Sequence, residues 1–363
     1  MATTIEDVAR EAGVSIATVS RYLNGPGGIV AAETGSRVQA AVARLGYVPN
    51  SAARSLKTGK TGLIGVLLAN IAHPYWSTVL AGVEEACQKA GYGAMVSSAA
   101  DRADVEHSYL QTFLKQRVDG ILLNPAHADP ETVAAWARLR VPIVLIDRTL
   151  PGLPFPLVAM DNALGTRLAV EHLLALSHRR LGFVSWRPNG LSNREERLAG
   201  FVSTLEDAGV RADPGLIRFA ADGWSDGVAQ TLALLAQPDP PTAIVSANST
   251  LNLQLLAAIK HRGRRVPADI SVVGYDDSPW DPLLDPPLTT VATPAKALGT
   301  MAAERLIAAI AGADGQGDRE LRLAPELLIR QSTGPVPDLG VPDELPVNGS
   351  GNRRRPSLPA SLP

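Results

Sequence analysis

Apolar positions fall at helical spacing twice within the first 24 residues, with a polar turn between them. Ile5, Val8 and Ala9 share one face of a short first helix, and Thr4 stands in capping-box position relative to Asp7. Ser15 can cap a second helix, on which Val19 and Leu23 recur at i and i+4 and can pack against Val8 and Ala9. Gly13 suits the left-handed residue that the turn needs. Ile16, Ala17, Thr18, Ser20 and Arg21 are left facing out, and Ala40, Ala41, Val42 and Leu45 supply a third apolar helix.

Beyond a polar stretch at 55–62 the pattern changes. Short apolar runs at 63–69, 93–97, 120–123 and 143–146 alternate with helix-length segments at 77–90, 105–117 and 130–138, which predicts a parallel α/β sheet. The alternation restarts after Met160, with strands at 181–185, 216–220, 243–246 and 270–275. Helices at 163–176, 195–208, 226–236 and 251–261 separate them. Two similar lobes imply a cleft. A run at 287–292, a helix at 296–311 and a strand pair at 320–323 and 326–330 complete the core, and 334–363, rich in Pro, Gly and Ser without a heptad repeat, reads as disordered.

A solvent face of small, hydroxyl and arginine side chains on a second helix is what a helix-turn-helix presents to a major groove. Helix pattern alone equally fits an αα-hairpin in a bundle. The motifs around it decide: Asp7-Val8-Ala9, Ala12-Gly13-Val14-Ser15, Ala17 to Arg21, Leu23-Asn24, then Leu45 to Asn50 and Ala53 with Leu56, in order and at family-like spacing. On these the chain resembles the LacI/GalR family of transcriptional regulators.

The resemblance implies an α/β fold: an N-terminal helix-turn-helix head and a two-lobed, periplasmic-binding-protein-like core with parallel sheets. Head and hinge helix would occupy 1–60, one lobe 61–161 completed by about 292–323, the other 162–291 with about 324–333, and a tail 334–363. Ile16, Ala17 and Arg21 would read base edges, with Arg21 the best candidate for a guanine contact. Thr4, Thr18, Ser20, Asn24, Tyr47 and Asn50 would position the head on phosphates, beside the cap Ser15. Residues 52–56, with Ala53, would form a hinge helix whose Leu56 wedges into the minor groove.

Composition narrows the alternatives. The formal net charge is −2, but the first 60 residues carry +3 and the remainder −5, compatible with phosphate contacts at the head. Cys87 is the only cysteine, which excludes an internal disulfide framework and fits a reducing cytoplasm; it reads as a buried small side chain. A signal peptide and an apolar stretch long enough to span a membrane are both missing from the sequence, so a soluble cytoplasmic protein is expected. No dinucleotide fingerprint opens the first α/β unit, the TGKTG at 58–62 lacks the upstream glycine of a P-loop, and no metal-ligand spacing or nucleophile elbow occurs. Neither an enzyme nor a cofactor is expected.

Ligands of open parallel sheets bind beyond the carboxyl ends of the strands. His73, Tyr75 and Trp76 follow the first strand there, Asp147 and Arg148 the fourth, Arg197 starts a second-lobe helix, and Trp224, Asn248 and Asp276 follow second-lobe strands. Singly, each has an ordinary reading: a strand-end Asp caps a turn, an Arg makes a surface pair, a Trp lies in the core. Together they match the family's effector-contact motifs, through Arg197 to Phe201 and Gly274 to Asp277 above all. Carboxylate, amide, guanidinium and aromatic groups suit a polyhydroxylated ligand, with a sugar or sugar derivative first and a nucleoside or purine base second.

Three departures from the family pattern stand out. Ser249 follows Asn248 where an Asp is usual, the loop at 25–28 is one residue longer, and the third helix has Ala31 for a capping Ser and an internal Gly35. A lost cap and a helical Gly each cost about 1 kcal/mol. The expected function is ligand-responsive repression by a homodimer on palindromic double-stranded operator DNA, without a membrane partner. An exported or cytoplasmic sugar-binding protein remains the rival, because its core would look the same.

Overall fold

The computed structural model describes residues 3–24, 30–48, 59–126, 130–221, 224–313 and 318–336. The head is three helices, α1 (Ile5–Ala12), α2 (Ile16–Asn24) and α3 (Ala32–Leu45). Thr4 caps α1 by accepting from the Asp7 amide, and the Asp7 carboxylate accepts in return from the Thr4 amide. Gly13 takes the left-handed conformation at φ 62°, and the Ser15 hydroxyl accepts from the Thr18 amide at 3.1 Å.

Val8, Val19 and Val38 are fully buried at the centre of the head, with Ala9, Ala12 and Ala41 around them and Leu23, Val42 and Leu45 at the margin. Two expectations change. Ala40 faces solvent, and Val38 takes the core position on that helix. Gly35 is buried against the Tyr22 ring, where an added Cβ would lie 3.0 Å from a ring carbon, so its poor helix propensity accompanies a close approach of α3 to α2. Ala31 provides no side-chain cap, as the sequence suggests. Arg37 donates to the carbonyls of Ala12 and Gly13, and Arg44 pairs with Glu11 at 2.7 Å, so α3 is tied across the turn.

The chain divides into two compact units. The first holds Met1–Met160, Asn189–Asn193 and Pro294–Leu323, and the second holds Asp161–Pro188, Arg194–Thr293 and the residues from Ala324. In chain order the remaining elements are β1 (Leu63–Leu68), α4 (Tyr75–Lys89), β2 (Gly93–Ser98), α5 (Ala103–Lys115), β3 (Gly120–Leu123), α6 (Pro130–Trp136), β4 (Ile143–Ile146) and β5 (Leu157–Met160). There follow α7 (Asn162–Ala175), β6 (Leu181–Trp186), α8 (Ser192–Asp207), β7 (Ile217–Ala220), α9 (Trp224–Leu235), β8 (Ala243–Ser246), α10 (Ser249–His261) and β9 (Ser271–Tyr275). Then come β10 (Thr289–Ala292), α11 (Ala295–Ile310), β11 (Glu320–Leu323) and β12 (Glu326–Leu328).

The first sheet runs β11-β5-β4-β3-β1-β2, parallel throughout, and the second runs β12-β10-β9-β8-β6-β7, parallel except for β12 against β10. Apart from the edge strands β11 and β12, both sheets share one doubly wound order. β5 is absent from the sequence reading, because its four residues follow a proline-punctuated loop and give no periodicity. β11 and β12 do not pair with each other: one joins β5, the other β10. Nor does a free tail start at 334, since the Gly334 amide donates to the Ser271 hydroxyl at 3.0 Å and its carbonyl lies 3.0 Å from His178 Nε2.

Alternate residues of the first sheet feed two cores. Ile64, Val66, Leu68, Leu122 and Val144 pack with α4 and α11, and Leu67, Ile121, Leu123 and Leu145 pack with Phe113 on the other face. Burial on both faces is why these strands read as unbroken apolar runs. Cys87 is buried in the first of these cores. On its far side α4 and α11 touch backbone to backbone, such that a Cβ on Gly299 would lie 2.0 Å from the Val79 carbonyl oxygen. Gly299→Ala is therefore expected to destabilise the protein by about 1–3 kcal/mol through overpacking. Urea unfolding checks it, and an unchanged midpoint would mean that the helices do not meet there.

Candidate functional site

On α2 the exposed side chains are Ile16, Ala17 and Arg21, with Thr18 and Ser20 half-buried beside them. Thr4 and Ser15 are exposed, and their hydroxyls serve as caps. Of the four arginines in the described head, Arg10 pairs with Asp7, Arg37 holds the turn and Arg44 pairs with Glu11. Arg21 makes no hydrogen bond or ion pair with the described residues. Tyr47 is half-buried against the head core. Asn24 ends α2, its side chain outside the described set; Asn50, Ala53 and Leu56 lie outside the described residues altogether.

In the first unit Asp147 ends β4 in the left-handed region at φ 72°, nearly buried. Its Oδ2 accepts from Asn193 Nδ2 at 2.9 Å and from Asn124 Nδ2 at 3.4 Å. Asn124 also donates to the Ile146 carbonyl and accepts from the Ala69 amide, which stitches the ends of β1, β3 and β4 together. Arg148 donates from Nε to the Pro125 carbonyl at 2.7 Å and lies 4.0 Å from Asp101. His73, Tyr75 and Trp76 sit two strands away, at the start of α4. Trp76 packs in the core, 4% exposed and edge-on to Tyr75 at 5.1 Å.

The second unit repeats the arrangement with other side chains. Asp276 ends β9 at φ 60°; its Oδ1 accepts from the Thr293 hydroxyl at 3.1 Å and its Oδ2 from the Ser249 amide at 3.3 Å. Arg197, buried, donates from Nε to Asn162 Oδ1 at 2.8 Å and from NH1 to the Ala247 carbonyl at 2.6 Å, and its guanidinium lies 4.3 Å above the Tyr275 ring. Its NH2 nitrogen has no hydrogen bond to the described residues. Burial pushes the Tyr275 phenol above its ordinary range, against the pull of Arg197 and of its hydrogen bond with Thr166. Asn248 caps α10 by accepting from the Thr250 amide at 2.9 Å. Trp224 is the first residue of α9, its side chain outside the described set.

The sequence reading missed several partners: Asn124, Asn193, Asn162, Tyr275 and Glu106. Only the asparagines at strand ends carry a signal in retrospect, because an Asn closing an apolar run must satisfy its amide against neighbouring backbone. Asp277, next to Asp276, is committed elsewhere, 2.7 Å from Arg330. Ser249, where the family resemblance expects Asp, is buried with no hydrogen-bond partner for its hydroxyl among the described residues. Those residues hold no group of three or more His, Cys, Asp and Glu fit for a metal ion, and no helix among them is long and apolar enough to cross a membrane.

Glu106 on α5 is fully buried, with Oε1 accepting from the Ala126 amide at 2.8 Å and Oε2 unpartnered. Burial pushes its carboxyl up to about 7, against the Ala126 bond and Arg148, with Asp101 adding to the rise. The folded state therefore holds a proton that the unfolded chain releases near 4.5, so this group weakens the fold as pH rises from about 4.5 to about 7 and adds no further change above. Glu106→Gln keeps the Oε1 acceptor and removes the ionisation. Its stability relative to the native chain is expected to be higher at pH 8 than at pH 5 by about 1–3 kcal/mol. Denaturant titrations at the two pH values check this, and equal differences would place Glu106 in a wetter site.

Two family descriptions match the chain: "Bacterial regulatory proteins, lacI family" over residues 4–50, and "Periplasmic binding protein-like domain" over residues 170–333. The HTH-type transcriptional regulator PtxS of Pseudomonas putida is 35% identical over 333 residues, covering 92% of this chain and 96% of PtxS. The Lac repressor dimer bound to operator and the anti-inducer ONPF superposes with a TM-score of 0.81 at 32% identity, covering 92% of this chain and 100% of that one. The complex of the transcriptional regulator CelR with cellobiose gives 0.69 at 32% identity, covering 91% and 99%. Identity at this level runs through head and core alike, and the chain belongs to the lacI family of bacterial regulatory proteins, the DNA-binding regulators of transcription.

Proposed function

We propose that the chain is a repressor that binds a palindromic operator as a homodimer through α2, and that a sugar or sugar derivative sets its operator affinity. The observation that carries the DNA reading is Arg21, exposed on α2 while the other described arginines of the head are engaged within it. A free guanidinium on a recognition helix suits the paired acceptors of guanine, and Ile16 and Ala17 beside it suit thymine methyl groups. Ser15, Thr18, Ser20 and Tyr47 supply hydroxyls for phosphate oxygens, whereas the Thr4 hydroxyl donates to Asp7 and leaves its position at the head of α1 as its contribution. A chromosome-binding regulator works in the cytoplasm, and its activity is binding rather than catalysis.

The effector class follows from what the strand ends offer. Asp276, Arg197 through NH2, Asn248, Asp147 and Arg148 are hydrogen-bonding groups; of the aromatic candidates, Trp76 belongs to the core. Such a set favours adjacent hydroxyls. The likeness to a cellobiose-bound regulator points the same way.

Arg21→Ala is expected to cost about 1–3 kcal/mol of discrimination between selected and scrambled duplexes, with effector binding intact. Gel shifts on a half-site series check it, and unchanged discrimination would take Arg21 out of this role. A thermal-shift panel of sugars, sugar acids and nucleosides identifies the effector, since a ligand at 100 times its dissociation constant adds about 2.7 kcal/mol. Arg197→Ala and Asp276→Ala should each then weaken that ligand by roughly 1–3 kcal/mol in calorimetry. A response to nucleosides alone would overturn the sugar reading, and native affinity in both variants would overturn the residue assignment.

A further inference from the structure

We infer that the Asp119 carboxylate is the positioning residue that fixes where the linker from the head joins the core, and that specific DNA binding depends on it. This rests on the operator-binding reading above. Asp119 stands just before β3, half-buried. One of its carboxylate oxygens accepts from the Thr61 amide at 2.8 Å, and the other accepts from the Gly62 amide at 2.8 Å. The Thr61 hydroxyl lies 3.1 Å from the first of these oxygens and 2.9 Å from the Arg117 carbonyl, so its one proton is shared between them. Backbone bonds continue the lock: the Asp119 amide donates to the Leu63 carbonyl and the Gly93 amide to the Gly62 carbonyl, both at 2.8 Å.

Residues 61–63 are thus pinned from the β3 side and from the β2 side where the chain becomes the interior strand β1. Beside Thr61 lies a polar hollow of about 400 Å³ lined by Lys60, Gly91 and Tyr92 as well as by Asp119 itself. A carboxylate aimed at two consecutive amides holds position and direction together, because charge-assisted bonds are the stronger ones and two-point contact adds geometric specificity.

Ten residues, 49–58, separate the described head from the described core, a reach of at most about 35 Å. If the anchor only set linker length, freeing Thr61 and Gly62 would add two residues and lower the effective concentration of the head by less than about twofold. A directional anchor has a larger effect, since losing it leaves Gly62 held only through its carbonyl by the Gly93 amide and removes the bonds that set the direction of Thr61.

The test uses the full chain and a duplex that the native protein selects from a randomised pool. Asp119→Ala should lose at least about fivefold in affinity for that duplex, keep its affinity for random duplex, and exchange the Thr61 and Gly62 amide hydrogens faster. Asp119→Asn, which keeps one of the two acceptors and replaces the other by an NH2 donor, should fall between. Affinity of Asp119→Ala within twofold of the native chain overturns the anchor, as does an equal loss on selected and random duplexes. Should Asp119→Ala fail to fold, Asp119→Asn is judged by the same limits. A native chain that selects no duplex sinks the operator reading and the anchor with it, whereas selection matched by the variant sinks the anchor alone.

Discussion

Parallel strands have to be covered on both faces, and that one constraint decides where polarity can go in this protein. β1, β3 and β4 are buried nearly end to end, and their residues feed apolar cores on both sides of the sheet. Nothing polar can be placed along them without leaving a buried group unpaired. Hydrogen-bonding side chains therefore collect where the strands stop. Asn124 after β3, Asp147 after β4 and Asp276 after β9 stand at these positions, each already bonded to neighbouring backbone or side chains.

The same rule repeats with the fold. Asp147 and Asp276 end the fourth strand of their respective sheets, and both occupy the left-handed region, at φ 72° and φ 60°. Asp tolerates that conformation better than most side chains, but it still has a cost, and such positions persist where the surroundings over-determine them. In the first unit Asn124 and Asn193 hold the carboxylate; in the second Thr293 and the Ser249 amide do. One backbone device is thus supported by two different sets of side chains. That difference lets two units of one topology present unlike chemistry.

Much of this is legible in the sequence. Buried strands announce themselves as apolar runs, and the head's caps, turn glycine and helical faces are local features that a few residues determine. What escapes depends on three-dimensional neighbours. β5 has too few residues for a period and is a strand because β4 and β11 flank it. Val38 rather than Ala40 enters the head core because of how α3 crosses the turn. Gly35 looks like a weak point until the Tyr22 ring lies against it. Trp76 follows a strand end, as a ligand-binding aromatic would, yet its ring turns into the core beneath β1. Glu106 carries no local sign of its burial, since a Glu on an amphipathic helix ordinarily faces water.

Chemistry that remains open to partners is defined in this protein by elimination. Asp277 looks equivalent to Asp276 in the sequence, but it is paired with Arg330 and bonded to Thr290. Arg37 and Arg44 add to the head's basic count, yet both, though exposed, are bonded to partners within the head. A charge total overstates what a surface can offer, because internal partners are subtracted first. After that subtraction the described head keeps one uncommitted guanidinium, Arg21, on the helix whose exposed face otherwise carries Ile16 and small or hydroxyl side chains. A single donor fork stands on that face without a second guanidinium beside it among the described residues, so the charged hydrogen-bonding chemistry that α2 offers is concentrated in few atoms rather than spread over the head's charge.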